Sequence, residues 1–419
     1  MSDREALRNH VSGLEIIDTH EHMPGREEGR PATDVLAEYL SHYFSCDLVS
    51  AGLKPADLEV VRGASRPLME RWKLAEPFWE AARFTGYGRS LDIAARGIYG
   101  IDGISGDTIG PLNEAFTAAR KKGGHYRRVL KDLSKIRVSI LDSDVTCDRE
   151  FFRSTIRLDD FIMVQSLEQV RQLERISGVA IHSLEDLKAA LEAFLDKQFA
   201  AGAVTIKSGL AYARSLFYPK VAASAADAEF VQIFSPSLNG RPVQTDALQN
   251  HMMHHLLRCA NTRGLPFQFH TGLQEGNGNY IRHSDPALLT NLFIEYENVR
   301  FDIFHIGYPF QHVLSALAKN FRNVFIDFCW ANIISPTASV AALVEYLDAV
   351  PANKISAFGG DYCFVDGVYG HQYLARENVT RALAIKIDQG VFDLDEAKRI
   401  AKMLLHDNPM SIFNLDLNG

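Results

Sequence analysis

Six side chains carry the chemistry this chain offers most plainly: His20, His22, Lys207, His270, His305 and Asp361. The first two belong to the run Asp18-Thr19-His20-Glu21-His22, which follows the apolar stretch Leu14-Glu15-Ile16-Ile17. That stretch reads as a strand, and in a strand residues two apart face the same side. Both imidazoles therefore aim at one point at the strand's end, and two converging neutral imidazoles are half of a metal site. The other four stand where further strands are predicted to end. Lys207 closes 203–207, His270 closes 266–270 and His305 closes 299–305, while Asp361 follows 354–358 across Gly359-Gly360.

The elements that must position them follow from the rhythm of the chain. From residue 135 onward, short β-branched runs alternate with helical ones, which predicts a parallel sheet. Strands are predicted near 14, 136, 155, 203, 266, 299, 323 and 354, with the third placed over 155–164. Eight such units favour an α/β chain closed as a (β/α)8 TIM-type barrel. No GxGxxG or P-loop follows any strand, which argues against a nucleotide-binding open sheet. A barrel needs about 250 residues. The surplus is assigned to a helical insertion over 23–133, beginning with one helix over 34–53 capped by Thr33 or Asp34, and to a polar loop over 220–243. The whole of 1–419 is expected to form a single barrel unit carrying that insertion. In such barrels the carboxyl ends of the strands share one rim, where catalytic side chains sit. A lone strand-end histidine is most often structural, and an Asp after Gly-Gly is most often a turn residue. The metal reading rests on all six meeting at one rim.

Composition narrows the partners. A formal net charge of -8 and a pI near 6.0 argue against nucleic acid or an anionic membrane. No apolar run reaches the ~18 residues of a membrane span. The charged start, residues 1–10, gives no signal-peptide pattern. Five scattered cysteines without a CxxC pair fit a reducing compartment, so a cytoplasmic protein is expected. The expected partner is a small-molecule substrate, with homo-oligomerisation left open. His251, His254 and His255 fall within a predicted helix and lack the Glu of an HExxH motif, so they read as helix-face residues.

HxH on the first strand, Lys207 on the fourth, His270 on the fifth, His305 on the sixth and Asp361 on the eighth resemble the amidohydrolase superfamily. Closer wording, in Lys207-Ser208, Gln268-Phe269-His270-Thr271-Gly272, His305-Ile306-Gly307-Tyr308-Pro309 and Asn408-Pro409-Met410, is similar to amidohydrolase-2 proteins. Within that group it resembles the amidohydrolase domain of nodulin-type fusions with glutamine synthetase. The helical insertion also resembles uronate isomerases, more distantly. Those carry Arg two residues after the last-strand Asp, where this chain has Cys363.

The resemblance implies that His20, His22 and Asp361 hold one divalent ion and His270 and His305 a second. Lys207, carboxylated, would bridge them, because an ammonium is donor-only and cannot ligate a cation. A one-ion variant uses His20, His22, His270 and Asp361, with His305 orienting substrate. Four imidazoles favour Zn2+, with Mn2+ as the alternative. The implied reaction is hydrolysis of an amide, lactone or ester by activated hydroxide, with Asp361 moving the proton. Tyr212, Arg214, Arg282 and Trp330 follow strand ends and are candidate contacts for a small anionic substrate. Two readings compete: a uronate isomerase-like or decarboxylase-type lyase on the same site, and a non-catalytic metal-bound regulatory barrel.

Overall fold

A computed structural model describes residues 2–142, 145–235 and 241–417. Eight strands form one sheet: β1 (Ile16–Glu21), β2 (Ile136–Asp142), β3 (Phe152–Arg157), β4 (Ala203–Ser208), β5 (Pro266–Phe269), β6 (Arg300–Ile303), β7 (Val324–Asp327) and β8 (Ile355–Ser356). They lie in chain order and every paired neighbour is parallel, with helices in the connections, as a TIM-type barrel requires.

The seam between β8 and β1 is closed by the chain just beyond β8. Thr19 N donates to Phe358 O at 3.2 Å, Asp361 N to His20 O at 2.7 Å and His22 N to Tyr362 O at 3.0 Å. This close approach explains Gly359-Gly360. A Cβ on Gly359 would stand 2.4 Å from Thr19 Oγ1, and one on Gly360 1.7 Å from Glu21 Oε1. The seam thus delivers Asp361 directly beside the HxH pair.

The barrel interior carries polar groups at successive strands, among them Asp18, Ser139, Thr155, Thr205, Gln268, Asp302 and Asp327, all buried. They are tied across strands: Ser139 Oγ donates to Asp18 Oδ2 at 2.7 Å and Gln268 Nε2 to Asp302 Oδ2 at 3.3 Å. Burial pushes the carboxyl of Asp18 up to about 6 and that of Asp302 up to about 7. This hydrogen-bonded layer is the floor beneath the rim.

Three local expectations differ from the structure. The third strand runs Phe152–Arg157 rather than over 155–164, because the chain turns into a short helix, Asp159–Ile162. Asp159 Oδ2 there accepts from Gly209 N at 2.8 Å, which fixes the turn. The helix expected over 34–53 is two, Val35–Tyr39 and His42–Ser50, broken where His42 takes a positive φ of 50°. Asp34 is the cap, with Oδ1 accepting from Ala37 N at 2.9 Å. Within the polar stretch 220–243, residues Ala223–Gln232 form a helix, while 236–240 lie outside the described residues.

Between β1 and β2 the chain continues through the helices Pro55–Arg62, Leu68–Ala82, Gly86–Tyr99 and Ile109–Lys122. Trp72, Trp79, Phe44 and Phe116 pack between them, fully or almost fully buried. Tyr99 ties this group to the long helix Val365–Asp388 through its hydroxyl, which donates to Asp366 Oδ2 at 2.7 Å. Among the described residues no helix is long and apolar enough to cross a membrane.

Candidate metal centre

The six strand-end residues converge on one mouth. His22 Nε2 lies 3.1 Å and His20 Nε2 3.8 Å from Asp361 Oδ1. His305 Nε2 lies 3.0 Å from His270 Nδ1. Lys207 Nζ sits 3.6 Å above the Phe304 ring. Beside these groups opens a cavity of about 680 Å³ whose lining includes His22, Lys207, His270 and Asp361.

The donor set can be tested for a cation from its hydrogen bonds. His305 Nδ1 lies 2.8 Å from Cys329 O, and His270 Nε2 lies 2.9 Å from Leu273 O. A carbonyl only accepts, so each of these nitrogens bears the ring hydrogen. The remaining nitrogens, which face one another at 3.0 Å, are then both lone pairs. Protonating either ring would relieve this, but burial opposes it. Burial, with His305 and Lys207 adding to it, drives His270 well below the ordinary histidine value, and burial holds His305 at about 4.

His20 repeats the pattern. Gln268 spends its Nε2 on Thr19 O at 3.0 Å, so its Oε1, 3.3 Å from His20 Nδ1, accepts there. His20 Nε2 is left buried without a hydrogen-bond partner, facing Asp142 Oδ2 at 3.6 Å and Asp361 Oδ1 at 3.8 Å. Burial and the Lys207 charge lower this imidazole to about 3. Lone pairs of neutral imidazoles aimed at each other and at carboxylates are the donor chemistry a divalent transition ion takes. His20, His22 and Asp361 each place one ligand atom within 4.8 Å of the others.

Asp361 is held on several sides. Tyr43 OH lies 2.5 Å from both its Oδ2 and its backbone oxygen. Burial alone would raise the carboxyl, but the His22 hydrogen bond and the neighbouring imidazoles hold it well below the usual carboxylate range. Asp361, His305 and Trp330 all adopt positive φ, at 57°, 62° and 58°. Side-chain-bearing residues rarely do so, and each such position costs about 1–3 kcal/mol. Three of them at the ends of β6, β7 and β8 put the strain where the chemistry is.

The other sequence candidates divide. Tyr212 lines the cavity, packs on His270 with ring centroids 4.6 Å apart, and its hydroxyl accepts from Glu275 N at 3.0 Å. Trp330 is buried behind the site, stacked on Tyr43 at 4.4 Å and edge-on to His305 at 5.1 Å. Arg214 does not line the cavity. Its guanidinium donates to Gln249 Oε1 at 2.9 Å and Asn250 Oδ1 at 2.7 Å and packs over Tyr218. Arg282 is exposed on the turn Ile281–Ser284, also outside the cavity lining. Of the helix histidines, His254 bonds Tyr296 OH and Tyr218 O, while His255 pairs with Glu192 at 2.9 Å.

Several cavity residues escaped the sequence reading. Asp142 ends β2 and Arg157 ends β3, with Arg157 Nε donating to Asp142 Oδ2 at 2.7 Å. Both obey the strand-end rule, Asp142 just past the apolar run that begins at 136 and Arg157 inside the third strand as expected over 155–164. His42 and Tyr43 come from the insertion and Glu275 from the loop after β5, where no periodicity points to a rim.

The fold is a parallel eight-stranded barrel whose rim gathers candidate metal ligands. The amidohydrolase family model matches residues 168–415, and the chain belongs to that family. It is 25% identical over 152 residues to Protein fluG of Emericella nidulans, a match covering 36% of this chain and 18% of that protein. Among solved structures it is similar to a uronate isomerase from Thermotoga maritima, with TM-score 0.81, 17% identity and coverage of 98% of this chain and 97% of the other. It is also similar to a glucuronate isomerase from Caulobacter crescentus, with TM-score 0.79, 18% identity and coverage of 100% and 95%. A Lactobacillus casei protein described as a metal-dependent hydrolase aligns with TM-score 0.67, 15% identity and coverage of 97% of each chain.

Proposed function

We propose that this protein is a metal-dependent hydrolase cleaving an amide, lactone or ester of a small anionic substrate, with residues 1–419 acting as one unit and 23–133 as its cap. The observation that carries the reading is the pair of buried imidazole lone pairs, His270 and His305, facing each other at 3.0 Å beside Asp361. In this reading His20, His22 and Asp361 hold one cation, Zn2+ by donor type. His270 and His305 hold a second or complete the first. Lys207 would be a further ligand if carboxylated, and its burial, which lowers its pKa, favours the neutral amine that reacts with carbon dioxide. When bound, such a cation polarises a carbonyl and lowers the pKa of water toward ~7.

The chain's own residues supply the rest. Asp361 takes the proton that water loses on adding to the carbonyl and returns it to the leaving group. Tyr43, in contact with Asp361 Oδ2 and with its backbone oxygen, fixes the carboxylate's orientation for that transfer. Arg157, half exposed on the cavity wall, is placed to meet an anionic substrate group. Tyr212 covers His270 and limits access of bulk water.

The alternative on the same rim is sugar-acid isomerisation. Cys363 stands in the cavity wall where the uronate isomerase pattern has arginine, which favours hydrolysis. The test is a screen of N-acyl amino acids, γ-glutamyl amides, lactones and uronates in 18O-water, using protein purified without chelator. Hydrolysis predicts one 18O in a newly formed carboxylate. Uronate turnover without such a carboxylate would assign the protein to the isomerases.

A further inference from the structure

We propose that Cys329 is an additional metal ligand of this centre, so that the cation beside His305 and Asp361 is a thiophilic one. The inference rests on the metal-centre reading above and adds to it a donor from β7. A thiolate is not part of the histidine, lysine and aspartate pattern of the six strand-end residues.

Cys329 lies two residues beyond the end of β7, and it is fully buried. Its Sγ, a ring nitrogen of His305 and a carboxylate oxygen of Asp361 all lie within 4.8 Å of one another. The same spacing groups His20, His22 and Asp361, so two three-donor sets share the Asp361 carboxylate. A buried cysteine ordinarily behaves as a small apolar side chain. This one is instead placed beside a ring nitrogen and a carboxylate. Among the described residues its thiol has no hydrogen-bond partner, whereas the buried Cys147 thiol pairs with Ser154 Oγ at 3.4 Å.

The backbone around Cys329 is pinned on both sides. Its N donates to Asp327 Oδ1 at 2.7 Å, its O accepts from His305 Nδ1 at 2.8 Å, and the next residue, Trp330, sits at positive φ. The bond from His305 matters twice: it leaves the other ring nitrogen as a lone pair, and it couples the imidazole to the residue that carries the thiol. On the far side Gly359 approaches so closely that an added Cβ would stand 2.8 Å from Cys329 Cβ.

On binding, the thiol releases its proton to solvent and the sulfur lone pair forms the metal bond, so no oxidant or reductant is needed. Thiolate, imidazole and carboxylate together suit Zn2+ or Co2+, whereas Mg2+ and Mn2+ prefer oxygen. Cys329 would therefore bias the centre toward zinc.

The test is cobalt titration of the metal-free protein, followed in the visible and near-ultraviolet. We expect d–d bands together with a thiolate-to-cobalt charge-transfer band. Cys329→Ser and Cys329→Ala should lose the charge-transfer band while keeping cobalt at the His20, His22 and Asp361 set. Zinc affinity of the Cys329 site should fall more than ~100-fold, beyond the usual effect of a residue that only supports a ligand. Cys259→Ser, which removes the thiol of the outer Glu192, His255 and Cys259 group, should keep the band. If the Cys329 variants do not fold, X-ray absorption of the zinc-loaded Cys259→Ser and Cys363→Ser double variant decides, by a sulfur neighbour at about 2.3 Å. Cobalt bound without a charge-transfer band, a band lost in Cys363→Ser or Cys259→Ser but kept in Cys329→Ser, or zinc with no sulfur neighbour overturns the role of Cys329 and leaves the metal centre standing. No cobalt or zinc bound at all overturns both.

Discussion

Asp361 and Asp366 lie close together in the chain, and both are buried, yet they sit in opposite kinds of surroundings. Asp366, in the first turn of the helix Val365–Asp388, is ringed by donors. His125 Nε2 lies 2.7 Å from Oδ1, and the Tyr99 and Tyr39 hydroxyls donate to Oδ2 at 2.7 and 3.0 Å. Asp361 has one hydroxyl donor, Tyr43, and a hydrogen bond from His22, and otherwise faces His20, whose Nε2 is a lone pair. In the first arrangement both carboxylate oxygens already have donors, and the group stabilises the contact between insertion and barrel. The second has more acceptors than donors, and a cation corrects that imbalance. Two buried His–Asp groups of similar composition are thus told apart by which hydrogen bonds are already spent.

Substituting each aspartate should separate the two roles, with the largest effect at the rim. Asp361→Asn should abolish metal binding at the His20 and His22 set and lower kcat/KM about 10⁴-fold, while thermal stability stays the same or rises, as at sites that trade stability for function. Metal analysis, steady-state kinetics and a melting curve check this together. A large fall in Tm with activity retained would reverse the assignment.

Asp366→Asn should do the opposite, costing about 3 kcal/mol of stability by breaking a buried pair while the rim keeps its metal. The pH dependence has a defined sign. Burial would raise the Asp366 carboxyl, but the His125 hydrogen bond and charge hold it below the ordinary value. A depressed folded pKa contributes stability fully above the unfolded value of about 4, and that contribution is lost as pH falls through the folded value. Urea denaturation between neutral and acid pH should show this loss in the wild type and a flatter acid limb in Asp366→Asn.

Gly360→Ala is expected to act on both regions by a smaller amount. Its Cβ would collide with Glu21 Oε1, forcing the seam apart at a cost of about 1–3 kcal/mol. Because the seam carries Asp361 to His20, cation affinity should drop along with Tm. A change in Tm alone would mean that the seam and the rim are independent.

Much of this was legible in the chain, for reasons tied to period. The barrel follows from β-branched runs alternating with helices, and the gathering of His20, His22, Lys207, His270, His305 and Asp361 at one rim follows because a strand's end in such a barrel is a fixed address. Asp142 and Arg157 obey the same rule and were lost to small errors in where strands stop, which hydrophobic pattern defines poorly. Tyr43 and Glu275 come from segments whose path depends on long-range packing, so spacing carries no sign of them. Arg214 shows the converse failure. It follows a strand end closely, as a mouth residue should, but Gln249, Asn250 and Tyr218 capture its guanidinium. The positive φ of His305, Trp330 and Asp361 is invisible to propensity, since none is glycine and the surrounding barrel imposes the conformation.

The central claim is that the facing lone pairs of His270 and His305, with the unpartnered Nε2 of His20, hold a cation. Anomalous diffraction at the zinc edge, from crystals of protein purified without chelator, tests it most directly. The account predicts one or two peaks among these imidazoles and Asp361. A metal-free site with the His270 and His305 rings still 3.0 Å apart would contradict it.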